Sequence, residues 1–364
     1  MMAGFFPSRT ITFYMAWMFL TRSFGVLLAL VLILQSLDML GQTGKIMAFP
    51  GNGTPEIMRY VSLRMPQIIE QFLPFSILLG TLVTLMTLNA NSEIISMKAA
   101  GLSAHQVLAP LIVASILVAG LSFAFNDRIV TRATTALEKW QRVNYGKVAG
   151  DSKAQVNIWV RDGDNLINAE TVAGRGAATR LTGVTIYSRT GDELNSIVSA
   201  ERGKPAAGGW ELEGARRFDV VKGTEAKLGT ISVGAGIRPD QFTLASVKAS
   251  HLTFSALWQA IGDLKRAGRR TSALEAGMWH KISGPLSSVL MPLLAAVAAF
   301  GVARSGGLLI RAVIGMALGF GYFVADNFGL AMGNLGVYPP LLAAWGPFFI
   351  FLLVGETVLM QTEE

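Results

Sequence analysis

Six apolar runs, each long enough to cross a bilayer, dominate this sequence and exclude an ordinary soluble fold. They cover about Phe13–Leu40, Pro66–Leu88, Val107–Phe125, Ile282–Ala303, Leu308–Gly333 and Leu341–Met360. A helix needs about 20 apolar residues to traverse ~30 Å of hydrocarbon, so each run predicts one transmembrane helix. Pro66, Pro74, Pro110, Pro285 and Pro292 sit at or inside these runs. Neighbouring helices in a bundle can re-satisfy the backbone groups that they free. Of the 364 residues 51% are hydrophobic and 15% charged, against about 25% charged in soluble domains. The charge is concentrated between Arg142 and Arg270, so the chain is built for two solvents.

The middle stretch breaks into short β-prone runs: Val156–Val160, Leu166–Ala169, Gly183–Ser188, Glu193–Ala200, Trp210–Glu213, Arg216–Val221 and Lys227–Val233. Turn signals such as Asp162-Gly163-Asp164 and Gly208-Gly209 separate them, which predicts an all-β insert of sandwich or jelly-roll type. Leu252–Gly268 returns to helical spacing, with Leu257, Ile261 and Leu264 on one face and Ser255 as a candidate N-cap. The fold class is therefore an α-helical membrane protein with six transmembrane helices and an inserted jelly-roll-like β domain. The domain boundaries read as 1–143, 144–250 and 251–364.

Several functions are excluded by what the chain lacks. There is no cysteine, hence no disulfide framework or thiolate metal site. No GxxxxGK[ST], GxSxG or HExxH pattern occurs, and His105, His251 and His280 have no metal spacing. The chain reads as a non-enzyme without a cofactor or a metal. Its net charge of +7 points to lipid headgroups, not nucleic acid, as the anionic partner. The first apolar run is long and no small-residue cleavage site follows it, so it reads as a span and not a signal peptide.

Between the second and third runs lies Asn91-Ser92-Glu93-Ile94-Ile95-Ser96-Met97-Lys98-Ala99-Ala100-Gly101. Asn91 or Ser92 can cap a helix here, and Gly101 can end it in the left-handed region. A capped two-to-three-turn helix between two spans can dock a separate ATPase, or rest on headgroups as a simple connector. An even number of spans puts both termini on one side. With those termini inside, the inner loops hold Arg9, Arg22, Lys98, Arg304 and Arg311. The outer flanks hold Lys45, Arg59, Arg64, Arg128, Arg132, Lys265, Arg266, Arg269 and Arg270. The positive-inside rule therefore leaves the orientation undecided or slightly reversed.

Four motifs carry a resemblance to a known family. They are the Ser92–Gly101 segment, Trp159-Val160-Arg161-Asp162-Gly163-Asp164 opening the β insert, Trp279-His280-Lys281-Ile282-Ser283-Gly284-Pro285-Leu286 opening span four, and the Tyr338-Pro339-Pro340 turn before span six. Together with the order of elements they resemble the LptF/LptG family of lipopolysaccharide export permeases across nearly the whole chain. Leu37-Asp38-Met39-Leu40 and the Trp279 motif lean to the LptG branch.

The resemblance implies an inner-membrane subunit that pairs with an LptF-like permease, binds an LptB-like ATPase dimer and meets an LptC-like protein. It implies lipopolysaccharide as ligand, passed from the outer leaflet to a bridge of periplasmic jelly rolls. It also implies cytoplasmic termini, with Glu93 as the acidic coupling residue and Ser92, Met97 and Lys98 beside it. The basic residues Lys45, Arg59, Arg64, Arg128 and Arg132 become candidate ligands of the lipid phosphates, which Arg can grip bidentately. Arg311 resembles a basic residue of the family's fifth span, near a lateral opening, and could equally be an interfacial anchor. Lys265–Arg270 reads as resting on headgroups. Asp326, an acid inside a span, is a functional candidate by default. It lies fifteen residues from Arg311, about 22 Å at helical rise, so those two cannot pair. Gln35 stands where LptG-like chains often carry a base. A membrane-anchored scaffold, whose β domain recruits a periplasmic partner, is the alternative reading.

Overall fold

The computed structural model describes residues 7–146, 155–162, 164–174, 178–190, 193–206, 209–233, 248–266, 270–301 and 308–361. Gly163, Gly208, Gly268, Arg269, Ala303 and Arg304, named above, lie outside these residues, as does the side chain of Arg311. Two units emerge, one from residues 1–145 with 249–364 and the other from 146–248.

The first unit is helical. Its elements are α1 (Arg9–Met47), α2 (Thr54–Ala90), α3 (Glu93–Ala99) and α4 (Ala104–Phe125). A π-helical turn (Asn126–Val130) runs on into α5 (Thr131–Arg142). After the insert come α6 (Phe254–Arg266), α7 (Ser272–Ala296), which continues into a second π-turn (Val297–Gly301), α8 (Leu308–Leu335) and α9 (Pro340–Gln361). Among the described residues, six helices are long and apolar enough to cross a membrane, with α4, the first π-turn and α5 forming the third.

The first three spans outrun their apolar stretches. The 39 residues of α1 measure about 58 Å, nearly twice the hydrocarbon thickness. The polar stretch from Gly41 to Arg64, between the first two apolar runs, is mostly helix, and the chain turns between α1 and α2 over Ala48–Gly53. The cause is a satellite core, Ile46, Tyr60, Leu137, Trp140 and Tyr145, which gives the projecting ends an apolar seam to bury. Trp140 meets Tyr145 edge-on at 5.1 Å, and the Asn52 amide donates to the carbonyls of Ile46 and Tyr145, both at 2.9 Å. The α6 helix also differs in detail. It is capped by Thr253, whose Oγ1 accepts from Ala256 N–H at 3.4 Å, and not by Ser255.

In the main core, side chains of α2, α4 and α7 interdigitate with the inner faces of α1, α8 and α9. Small residues permit the closest approaches, as expected where lipid supplies little drive between helices. A Cβ on Gly80 would sit 2.6 Å from the Ser23 Cα, so α1 and α2 touch backbone to backbone there.

The second unit is a six-stranded antiparallel sheet with consecutive order β1-β2-β3-β4-β5-β6. The strands are β1 (Gln155–Asp162), β2 (Asn165–Ala173), β3 (Arg180–Thr190), β4 (Glu193–Ala206), β5 (Gly209–Asp219) and β6 (Thr224–Val233). The pairing Val160↔Ile167↔Ile186↔Val198 stacks apolar side chains on one face, which Trp210 and Leu212 help to close. Trp210–Glu213 and Arg216–Val221, expected as two strands, fuse into β5. The irregularity that suggested a break is a bulge after Leu212, made by Gly214 at φ +69. Edge strand β6 is mostly exposed.

Candidate functional site

Chain connectivity gives the helical unit two ends. One carries α3, between the second and third spans. The other carries the projecting ends of α1, α2 and α5, the origin of the insert and the turn from α8 to α9.

At the first end, α3 is a seven-residue helix closed by a Schellman motif. Gly101 N–H donates to Lys98 O at 3.0 Å and Leu102 N–H to Met97 O at 3.1 Å, while Gly101 takes φ +87. Ser92 is the N-cap residue, in the left-handed region and without a side-chain cap bond. Ile94 and Met97 are buried, 3% and 9% exposed, and join the main core. Met97, expected among the coupling residues, lies on the buried face and anchors the helix. Glu93 is half-buried, accepting from Tyr14 Oη at 3.4 Å and from the Asn91 amide at 3.3 Å. Lys98 is exposed and lies 5.3 Å over the Phe300 ring. Close by in the bundle, Arg22 donates to Val83 O at 2.8 Å.

Toward the second end, polar side chains gather between spans two to five. Lys281, 8% exposed, donates to Asn126 Oδ1 and Thr131 Oγ1, both at 3.2 Å. The Asn126 amide donates in turn to Glu70. Asp326 pairs with His280, whereas Lys281 bonds elsewhere. The Asp326 Oδ2 lies 2.9 Å from His280 Nε2, with the two side chains 13% and 30% exposed. Asp127 Oδ1 accepts from Phe254 N–H at 2.6 Å, tying the third span to the start of α6. Glu70 and Asn126 escaped the sequence reading, which met His280 and Lys281 only within the motif that opens span four. Glu70 stood inside the second apolar run as its one acid, which was the available signal. The histidines carry no metal spacing, yet each faces an acid, His105 with Glu356 at 3.1 Å and His251 with Glu138 at 3.0 Å.

The basic residues expected as phosphate ligands divide into two groups. Arg64 is engaged, with Asp38 at 3.4 Å and Gln67 Oε1 at 2.5 Å, and Asp38 also accepts from Tyr60 at 2.5 Å. Arg59 is exposed and stacks over Trp140 at 4.8 Å. Lys45, Arg128 and Arg132 are exposed. Arg128 and Arg132 are four residues apart and so share one face of the third span, beginning at the π-turn. Gln35 is buried, and neither polar atom of its amide has a hydrogen-bond partner among the described residues. Lys265 pairs with Glu275 at 2.9 Å and Arg266 with Asp263 at 2.6 Å.

Comparison with known proteins places this geometry. A family model described as lipopolysaccharide export system permease LptF/LptG matches residues 13–361. The lipopolysaccharide export system permease protein LptG of Escherichia coli K12 is 28% identical over 312 residues, covering 83% of this chain and 84% of that one. The LptG of Haemophilus influenzae is 24% identical over 328 residues, covering 84% and 86%.

Proposed function

This chain belongs to the LptF/LptG family of lipopolysaccharide export permeases, and from that premise we propose that it is the LptG-type subunit of an ATP-driven exporter. It is a multi-pass inner-membrane protein. In this reading its termini and α3 face the cytoplasm, and the β insert is a periplasmic, jelly-roll-like relay. An LptF-like chain pairs with it in the membrane, an LptB-like ATPase dimer binds below, and an LptC-like protein continues the bridge. Lipopolysaccharide enters from the outer leaflet.

The observation that carries the reading is α3. Its inner face is locked into the bundle by Ile94 and Met97, and its end is fixed by Gly101. A helix so held transmits a push on Glu93, Ser92 or Lys98 to the core of the spans instead of absorbing it. A passive scaffold would give this helix no task. Closure of the ATPase dimer would move α3 and, with it, the walls of the lipid cavity. Glu93 would meet a basic residue of the ATPase in a partly desolvated contact, worth more than a surface pair. At the opposite end, Lys45, Arg59, Arg128 and Arg132 offer exposed cations to the lipid phosphates. Arg64 contributes indirectly, since Asp38 occupies it, and Arg311 would stand near the lateral opening.

The test is reconstitution with the partner permease and ATPase. Glu93→Ala should retain or raise ATP hydrolysis while lipid release from proteoliposomes falls. Wild-type coupling in that variant removes the assignment.

A further inference from the structure

We propose that Lys281 is a positioning residue that holds the π-turn Asn126–Val130 in place and so sets the direction in which Arg128 and Arg132 face. The purpose of that device rests on the headgroup reading above; its geometry does not. Lys281 reaches in from α7, and its ammonium bridges the two ends of the turn, bonding Asn126 Oδ1 and Thr131 Oγ1 at 3.2 Å each. The Asn126 carbonyl is the acceptor that defines the turn. It receives Thr131 N–H, five residues on, and Thr131 Oγ1 at 3.0 Å. Two further elements grip the same turn: Glu70 of α2 takes the Asn126 amide, and Asp127 takes the first amide of α6. Three groups from three other elements, the Lys281 ammonium, the Glu70 carboxylate and the Phe254 amide, thus converge on the turn and the residue that follows it.

A π-turn is rare, occurs mostly as a single bulge inside an α-helix, and often marks a functional site. It holds one residue more than an α-turn. Collapsing it would rotate one half of the span against the other by about 100°, the angle of one helical residue. Val130, Thr131 and Ala133 are buried while Arg128 and Arg132 are exposed, so such a rotation would exchange cations for apolar side chains at the surface. Removing the ammonium leaves Asn126 Oδ1 without its donor inside the bundle and removes the strap across the bulge.

The chain has no cysteine, which makes the phase of the helix directly readable. Single cysteines at positions 124–139, in the full chain in its membrane complex, are labelled with a hydrophilic maleimide. In the wild-type background, labelling should peak at 128 and 132 and vanish at 130, 131 and 133. With Lys281→Met, or with the near-isosteric Thr131→Val, the peaks should shift by one residue on one side of the turn. Lys281→Arg, which retains a donor, should restore them. An unchanged labelling phase in Lys281→Met and Thr131→Val overturns the proposal. If Lys281→Met does not assemble, Thr131→Val alone decides. Photo-crosslinking of lipopolysaccharide from positions 128 and 132 is a separate readout: silence there removes the headgroup reading and leaves the labelling comparison standing.

Discussion

Asp326 and Glu70 have to be accommodated inside a bundle where an unpaired charge is expensive, and each is met by a donor from a different span. His280 serves Asp326 at 2.9 Å, and Asn126, itself held by Lys281, serves Glu70. Asp326 was legible as an intramembrane acid because a lone carboxylate in an apolar run is conspicuous. Its partner was not, since His280 lies 46 residues away on a helix whose phase the sequence does not fix. The pairing makes a prediction at this scale. Asp326→Asn retains a group able to bond His280, whereas Asp326→Ala leaves the half-buried ring nitrogen without this partner, a loss of about 1 kcal/mol. Thermal unfolding in nanodiscs should show a larger drop in Tm for Ala than for Asn; equal drops would mean that the bond contributes nothing. Met97 teaches the converse. It was named with Glu93 in the coupling segment with no face assigned, because a seven-residue window is too short to reveal one, and it occupies the buried face of a two-turn helix.

The spans and the β insert could be read from hydropathy and period, because both solvents write strongly into composition. Their limits were harder. Gly41, Gly44 and Pro50 resemble turn signals, yet Gly41 and Gly44 lie within α1 with open space around them. The helix continues there because Ile46 buries against Tyr60, Leu137 and Trp140, contacts that no local window contains. In the insert, Gly214 similarly resembled a strand end and proved to be a bulge. Gly101 behaved as its type predicts, and it supports a prediction about α3 as an element. A Cβ at Gly101 meets no atom within 4 Å, so Gly101→Val suffers chiefly from φ +87, which costs an L-residue about 1–2 kcal/mol and a β-branched one more. The end of α3 should loosen while the bundle stays folded. In reconstituted complexes, hydrolysis should then be partly uncoupled from lipid release, less completely than in Glu93→Ala. Full coupling in Gly101→Val would argue that the rigidity of α3 is irrelevant.

Taken over the whole molecule, the basic residues collect at the end from which the insert emerges, which in the proposed orientation runs against the usual bias toward cytoplasmic loops. The fold accounts for part of this excess. Arg64 is matched by Asp38, Lys265 by Glu275 and Arg266 by Asp263, so these cations have partners in the finished structure. The bias acts while helices insert and counts Lys and Arg, not net charge, so the pairs do not remove the conflict. Of the outer-flank cations named above, those exposed, described and outside these pairs are Lys45, Arg59, Arg128, Arg132 and Arg270, and in the proposed orientation the first four suit an anionic lipid in the outer leaflet better than they suit insertion. The opposite orientation would satisfy the charge bias but would turn α3 away from the compartment that holds ATP. Because one span separates α3 from the insert, the two must lie on opposite sides of the membrane whichever orientation holds. Ile95 on α3 is 61% exposed and Val221, after β5, is 81% exposed, and the chain has no cysteine of its own. In cells with a permeabilised outer membrane, an impermeant thiol reagent should label Val221→Cys at once and Ile95→Cys only after the inner membrane is opened. The reverse pattern would restore the charge rule, and with it discard both the ATPase role of α3 and the lipid-phosphate role of the exposed arginines.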